Sequence, residues 1–244
     1  MRSSNPILRD SVLQRSYAIT ERPMTIGGTM NKLLLLSSIL LVAAAAVYYQ
    51  FSLEHFDYVS ILCTAGCIIS LVLILIMAFK PTTTPYLSPI YAFAQGAVIS
   101  GMSCFLEMQF QGIVIQAATM TMLVVFSMAL LYKFGLIRAT EKFKAIIGAA
   151  TLAIFVFYII SFILMLCNVN IPYFTSNSTL SIVVNVAIAV IAALNLIIDF
   201  DFIERGVRTP MPAVMEWYGA FGLLVTIIWL YVEILRILSR VRSR

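Results

Sequence analysis

Charged residues make up only 11% of this 244-residue chain, where a soluble globular domain carries about a quarter. Set against 61% hydrophobic residues, that shortage excludes an ordinary water-soluble domain and leaves an integral membrane protein. Histidine is almost missing too. His55 is the one example, and it falls in a short connection, which argues against a His/Cys metal site and against a Ser/His/Asp triad. Cysteine is sparse: Cys63, Cys67, Cys104 and Cys167 all lie inside apolar runs. The i, i+4 spacing of Cys63 and Cys67 reads as neighbours on one buried helix face rather than as a metal or redox pair. The chain also has no phosphate-cradling loop, no GxSxG elbow and no HExxH, so neither an enzyme nor a resident cofactor is expected. The net charge of +5 does not point to nucleic acid. The bases lie between apolar spans, where they act as topology signals.

What the chain has in abundance is runs of bilayer length. A crossing helix needs about 20 largely apolar residues, and seven stretches qualify: Leu33–Phe51, Val59–Phe79, Leu87–Leu106, Ile113–Tyr132, Ala145–Leu166, Leu180–Ile203 and Trp217–Leu238. None shows the strict alternation of a barrel strand. The first run has the length of a signal-peptide core, but the polar stretch before it is too long for an n-region, so it reads as a span. The expected fold is an all-α seven-helix bundle. It comprises a cytoplasmic tail over 1–32, a membrane domain over 33–238 and a short basic tail over 239–244. Lys and Arg alternate with base-free connections: Arg2, Arg9, Arg15, Arg22 and Lys32 precede the first span, Lys80 follows the second, and Lys133 to Lys144 follow the fourth. By the positive-inside rule the N-terminus is cytoplasmic. Seven crossings then put the C-terminus outside, although Arg236, Arg240, Arg242 and Arg244 crowd that end. Either the last span stops short or the six earlier helices outvote it; seven full crossings is the reading taken.

The sixth run ends in acids: Asp199, Asp201 and Glu204. Carboxylates at the edge of a span are costly to desolvate and are usually kept where ions or protons are handled. At about 100° per residue, Asn185, Ile188, Ala192, Asn195 and Asp199 share one stripe with Ala189 at its edge. That stripe should face the bundle, because small residues and amides mark helix interfaces. Asp201 lies about 200° away and has Arg205 at i+4, and Glu204 has Arg208, so these two read as rim pairs. Asp199 is the candidate for a proton- or cation-sensing site. A carboxylate facing the interior can exchange a proton near neutral pH. Ionised, it is a hard ligand for calcium, but a tight calcium site needs about 6–8 oxygens, so one aspartate supports only a weak, proton-competed path. The seventh run brings Glu216, Thr226 and Glu233, the last with Arg236 at i+3 as a simple neutralising partner. Glu216 beside Trp217 and Tyr218 reads as a rim residue, Glu107 as an acid at the opposite mouth, and Lys80 as a snorkelling interface residue. Gln95, Gly96, Ser100 and Gly101, with Gln116 and Thr119, read as helix-packing positions.

Several stretches together resemble the transmembrane Bax inhibitor motif family, in a bacterial branch. They are Ser4-Asn5-Pro6-Ile7-Leu8, Met24-Thr25, Ser88-Pro89-Ile90-Tyr91-Ala92 and the block from Gly112 to Ala117. The longest are Leu194 to Glu204 and Glu216 through Thr226 to Arg236. The resemblance implies a seven-helix bundle with a cytoplasmic N-terminus and a pH-sensitive calcium leak, sensed by two aspartates whose contact depends on protonation. The first maps onto Asp199. The second falls at Thr226, which is not an acid, so either Glu216 or Glu233 substitutes from another turn or the two-carboxylate switch is absent. Lys80 corresponds to the basic end of the family's second helix.

The functional expectation is a pH-modulated calcium leak in a bacterial cytoplasmic (inner) membrane, with protons and calcium as its ions. Asp199 leads the site, and Asn195, Asp201, Glu216, Thr226 and Glu233 accompany it. The alternative is a non-conducting regulator that binds a membrane protease or another membrane protein through the basic N-terminal tail.

Overall fold

Apolar runs of this length have one way to settle their backbone in lipid: every N–H and C=O must be bonded within the segment, as in an α-helix. The computed structural model describes residues 22–167 and 179–243. It consists of seven long helices: α1 (Ile26–Ser52), α2 (Phe56–Phe79), α3 (Thr84–Gln109), α4 (Ile113–Lys133), α5 (Glu141–Leu166), α6 (Thr179–Arg208) and α7 (Val214–Arg242). All seven are long and apolar enough to cross a membrane. The protein is therefore an all-helical integral membrane protein in contact with lipid. Arg2, Arg9 and Arg15, and the connection over 168–178, lie outside the described residues.

The helices outrun the apolar stretches at several ends. α1 starts at Ile26 rather than at the first run of leucines because Thr25, in extended conformation, caps it and accepts a hydrogen bond from Gly28 N at 2.9 Å. Such a cap is worth about 1 kcal/mol. Gly112, at φ 78, makes the tight turn between α3 and α4, a left-handed conformation that side chains other than glycine's resist. Proline opens both the single 3₁₀ turn Pro81–Thr83 and α3, where its missing N–H costs nothing.

The bundle is built in two tiers. In the apolar windows of α3 and α7 half the residues are buried, whereas in α1, α2, α4 and α5 the share is 11–17%. α3, α6 and α7 thus form the inner set, and the outer helices turn most of their surface to lipid. α1 lies against α3, and α7 against α6. Close approach depends on small residues, as expected of membrane interfaces. A side chain at Gly96 would collide with the Leu40 carbonyl of α1, and one at Gly101 with the Cys63 thiol of α2. Ser100 reaches across to donate to the Ala44 carbonyl at 2.7 Å. The packing role read for these three α3 positions holds. It does not hold for Thr119, which is exposed, whereas Gln116, though exposed, makes a contact between helices. Thr119 bonds its own helix at the Ile115 carbonyl, and Gln116 accepts from Arg242 at 2.9 Å.

α7 settles the question of the last span. Its first turn carries Glu216 against Thr25, at the end of the bundle where α1 begins. Its last turn carries Arg242, which donates to the Gln111 carbonyl in the α3–α4 turn at 2.7 Å. Those contacts mark opposite ends, and 29 residues span about 43 Å. Arg244 lies outside the described residues, and the other three C-terminal arginines are turned to the protein. Arg236 pairs with Glu233, Arg240 is buried and Arg242 ties down the α3–α4 turn.

Candidate ion-handling site between α6 and α7

The stripe read on α6 is the face that packs into the bundle. Asn185, Ile188 and Ala192 are buried, the first and last completely. Asp199, one helical repeat beyond, is partly buried in the α6–α7 seam. Its Oδ2 accepts a hydrogen bond from the Thr226 hydroxyl of α7 at 2.6 Å, and Thr226 itself is 8% exposed. The same hydroxyl also lies 3.2 Å from the Gly222 carbonyl, one turn back. With a single hydrogen to give, its shorter contact is to the carboxylate. A Cβ added at Gly222 would sit 3.8 Å from Asp199 Oδ1, an ordinary contact distance, so Gly222 borders the carboxylate. Among the described residues no Lys or Arg pairs with Asp199. Among the described residues, the one side chain that hydrogen-bonds this carboxylate is the neutral Thr226 hydroxyl.

Thr226 therefore stands in space where the resemblance placed a second aspartate, and it faces Asp199 as that residue would. The Asp199–Thr226 contact contains one titratable group. Neither Glu216 nor Glu233 supplies the missing carboxylate, because each is committed elsewhere. Glu216, read as a rim residue, is only 6% exposed. Its Oε1 accepts from Thr25 N at 2.8 Å and from the Thr25 hydroxyl at 2.9 Å, and its Oε2 is paired with Lys32 of α1. The Lys32 ammonium also lies 5.5 Å from the Trp217 ring. The correction has a clear cause: residues 22–25 fold back over the α6–α7 turn. Met24 N donates to the Met211 carbonyl and Ala213 N to the Arg22 carbonyl. Nothing in the local sequence of α7 signals this cover. Gly28 is part of it, since any side chain there would strike the Glu216 carboxylate.

Glu233 is 1% exposed and sits toward the other end of the bundle. It accepts from Arg236 at 3.1 Å and from the Tyr158 hydroxyl of α5 at 2.7 Å, and Arg236 in turn donates to that hydroxyl. The i, i+3 pairing was legible; the tyrosine from α5 was not.

The remaining acids divide by charge balance. Asp201 pairs with Arg205 at 2.7 Å, as read, and also with Lys144 of α5 at 2.9 Å. It is thus a clamp between α5 and α6 more than a rim pair. Glu204 holds Arg208 at 2.5 Å and accepts from the Tyr132 hydroxyl of α4. Asn195 turns from the Asp199 seam and donates to Thr151 of α5 at 2.8 Å. Glu107 does not stand free at a mouth. Its two oxygens accept from Gly112 N at 2.5 Å and Val114 N at 3.1 Å, closing the turn into α4 and meeting the positive end of that helix. Lys80 ends α2 and is exposed, as a snorkelling residue would be. Among the described residues, no three His, Cys, Asp or Glu side chains are grouped to hold a metal ion.

Fold and site together define a seven-helix integral membrane protein with an aspartate in the seam of its last two helices that has no cationic partner among the described residues. A family model described as Bax inhibitor 1 like matches residues 5–243, essentially the whole chain, and the chain belongs to that family. Neither the curated proteins nor the solved structures contain a significant match.

Proposed function

We propose that the protein is a passive, pH-modulated leak for calcium, with Asp199 as the group that couples protons to the pathway. The observation carrying this reading is the contrast between Asp199 and the other acids of α6 and α7. Glu216, Glu233, Asp201 and Glu204 are each paired with a cation, whereas among the described residues the one side chain that hydrogen-bonds Asp199 is Thr226. Keeping a carboxylate in a span is expensive unless it has a task. Protonation removes its charge and its attraction for a cation, and changes what it offers to Thr226. The α6–α7 seam then has two states set by one proton. Calcium is here a transient cargo, met by one carboxylate and whatever carbonyl and water oxygens line its path. The distribution of Lys and Arg supports a cytoplasmic N-terminus, and the resemblance to a bacterial branch of the family supports a bacterial inner membrane. No catalytic chemistry is assigned.

The test is flux. Purified protein in liposomes loaded with a calcium indicator should admit calcium at a rate that changes across about pH 6 to 8. Liposomes that stay tight to calcium at every pH would remove the proposal.

One observation favours the second reading, a regulator of another membrane protein. The chain entering α1 is strapped by backbone hydrogen bonds at Arg22 and Met24 to the turn between α6 and α7. A partner gripping the basic residues before Arg22 would therefore act on the helices that carry Asp199 and Thr226. Deleting residues 1–21 should then abolish the biological effect and leave flux unchanged. If flux and effect disappear together, the regulator reading goes.

A further inference from the structure

A cavity of about 590 Å³ opens between α1 and α4, and neither Asp199 nor Thr226 is among the residues that line it. α1 packs mainly on α3 and α7, and α4 mainly on α7 and α6, which leaves a cleft between them floored by α3 and α7. Its length along α1, from Ser37 to Tyr48, is about 16 Å. That matches the hydrocarbon depth of one leaflet, about 15 Å. The outer walls are residues already turned to lipid: Leu41, Tyr48, Ile115 and Met122 are all more than 60% exposed.

The floor contains polar side chains, but they are turned inward to protein partners. Ser100 donates to the Ala44 carbonyl, Ser103 and Tyr231 share a hydrogen bond at 2.7 Å, and Thr121 bonds the Ala117 carbonyl. Glu107, at the end of the cleft nearest the α3–α4 turn, spends both oxygens on backbone N–H groups. The cleft therefore offers carbon surface and little for water or an ion to bond, so an aqueous branch is poorly solvated there. A crossing helix of a second copy spans about 30 Å, about twice the length of this cleft. The volume lies within the roughly 300–1,000 Å³ of small-ligand sites. At this depth in a membrane the abundant solute of that size and chemistry is an acyl chain.

We propose that the α1–α4 cleft is a binding site for one acyl chain of a bilayer phospholipid. The chain comes from the leaflet at the α3–α4 turn, and its headgroup lies at the level of Tyr48 and Glu107. The bound chain is a wedge that keeps α1 and α4 apart. This inference does not depend on the calcium reading.

Ala45 and Ala118 line opposite walls and are exposed, so each can be enlarged without disturbing the core. Ala46 is exposed on α1 but outside the cleft and serves as the control. The full chain is reconstituted in vesicles of phosphatidylethanolamine and phosphatidylglycerol containing a phosphatidylglycerol with a diazirine on its acyl chain. Cross-links are mapped by mass spectrometry after illumination. The expected result is labelling concentrated on cleft residues such as Tyr48 and Met122, falling roughly tenfold in Ala45→Trp and in Ala118→Trp and persisting in Ala46→Trp. Retained lipid counted by native mass spectrometry should fall in parallel, with thermal stability confirming that each variant is folded. Labelling spread evenly over lipid-facing positions such as Phe79 and Tyr86 would overturn the proposal. Equal loss in all three variants, or protein–protein cross-links seated in the cleft, would overturn it as well.

Discussion

Replacing Thr226 by valine removes the hydroxyl that Asp199 faces while keeping the shape of the side chain. The lost hydrogen bond is 2.6 Å long and ends on a carboxylate, a class worth about 1.5–3 kcal/mol. Because Asp199 is partly rather than wholly buried, the lower half of that range applies, about 1.5–2 kcal/mol. For a chain of this size that corresponds to a fall of about 3–8 °C in Tm. The informative form is a double-mutant cycle with Asp199→Asn. The amide oxygen accepts from Thr226 as a neutral group, so Thr226→Val should cost only about 1 kcal/mol in that background. The cycle should thus show coupling of roughly 0.5–1 kcal/mol, read from thermal unfolding in detergent micelles followed by tryptophan fluorescence. Thr226→Ser keeps the donor and should preserve the coupling. If Thr226→Val costs the same in the parent as in the Asp199→Asn background, the hydroxyl is not serving the carboxylate and the site as described fails.

Other outcomes follow from the paired acids. Arg236→Gln leaves Glu233 buried with only Tyr158 and should cost about 3–5 kcal/mol, whereas Glu233→Gln combined with Arg236→Gln should recover most of it; both are read as Tm in detergent. Lys32→Met strands Glu216 with its Thr25 bonds and should cost about 3 kcal/mol, with faster proteolysis near Arg22 as the strap over the α6–α7 turn loosens. Arg208→Ala removes a pair whose side chains are 73% and 36% exposed, and should change stability by less than about 1 kcal/mol, less still at high salt.

The parts legible in the sequence were those governed by helix periodicity. Seven spans follow from seven apolar runs, and Asp199 was separated from Asp201 by the turn of one helix. The Asp201–Arg205, Glu204–Arg208 and Glu233–Arg236 pairs follow from i+3 and i+4 spacing. What was not legible comes from contacts between elements distant in sequence: Lys144 on Asp201, Tyr158 on Glu233, Tyr132 on Glu204. The burial of Glu216 at its rim position is of this kind, since its cover is a segment 191 positions away. Glu107 is different, because a clue was present: an acid five residues before Gly112, at a glycine turn opening a helix, is placed to accept from the free N–H groups there.

The difference between Asp199 and its paired neighbours puts the central claim within reach of one measurement. Calcium entry into proteoliposomes is followed as a function of pH for Asp199→Asn beside the unaltered protein. The account predicts that the asparagine protein is folded, with a pH profile that is flat where the parent's changes. Flux in Asp199→Asn that rises and falls with pH as in the parent would contradict it.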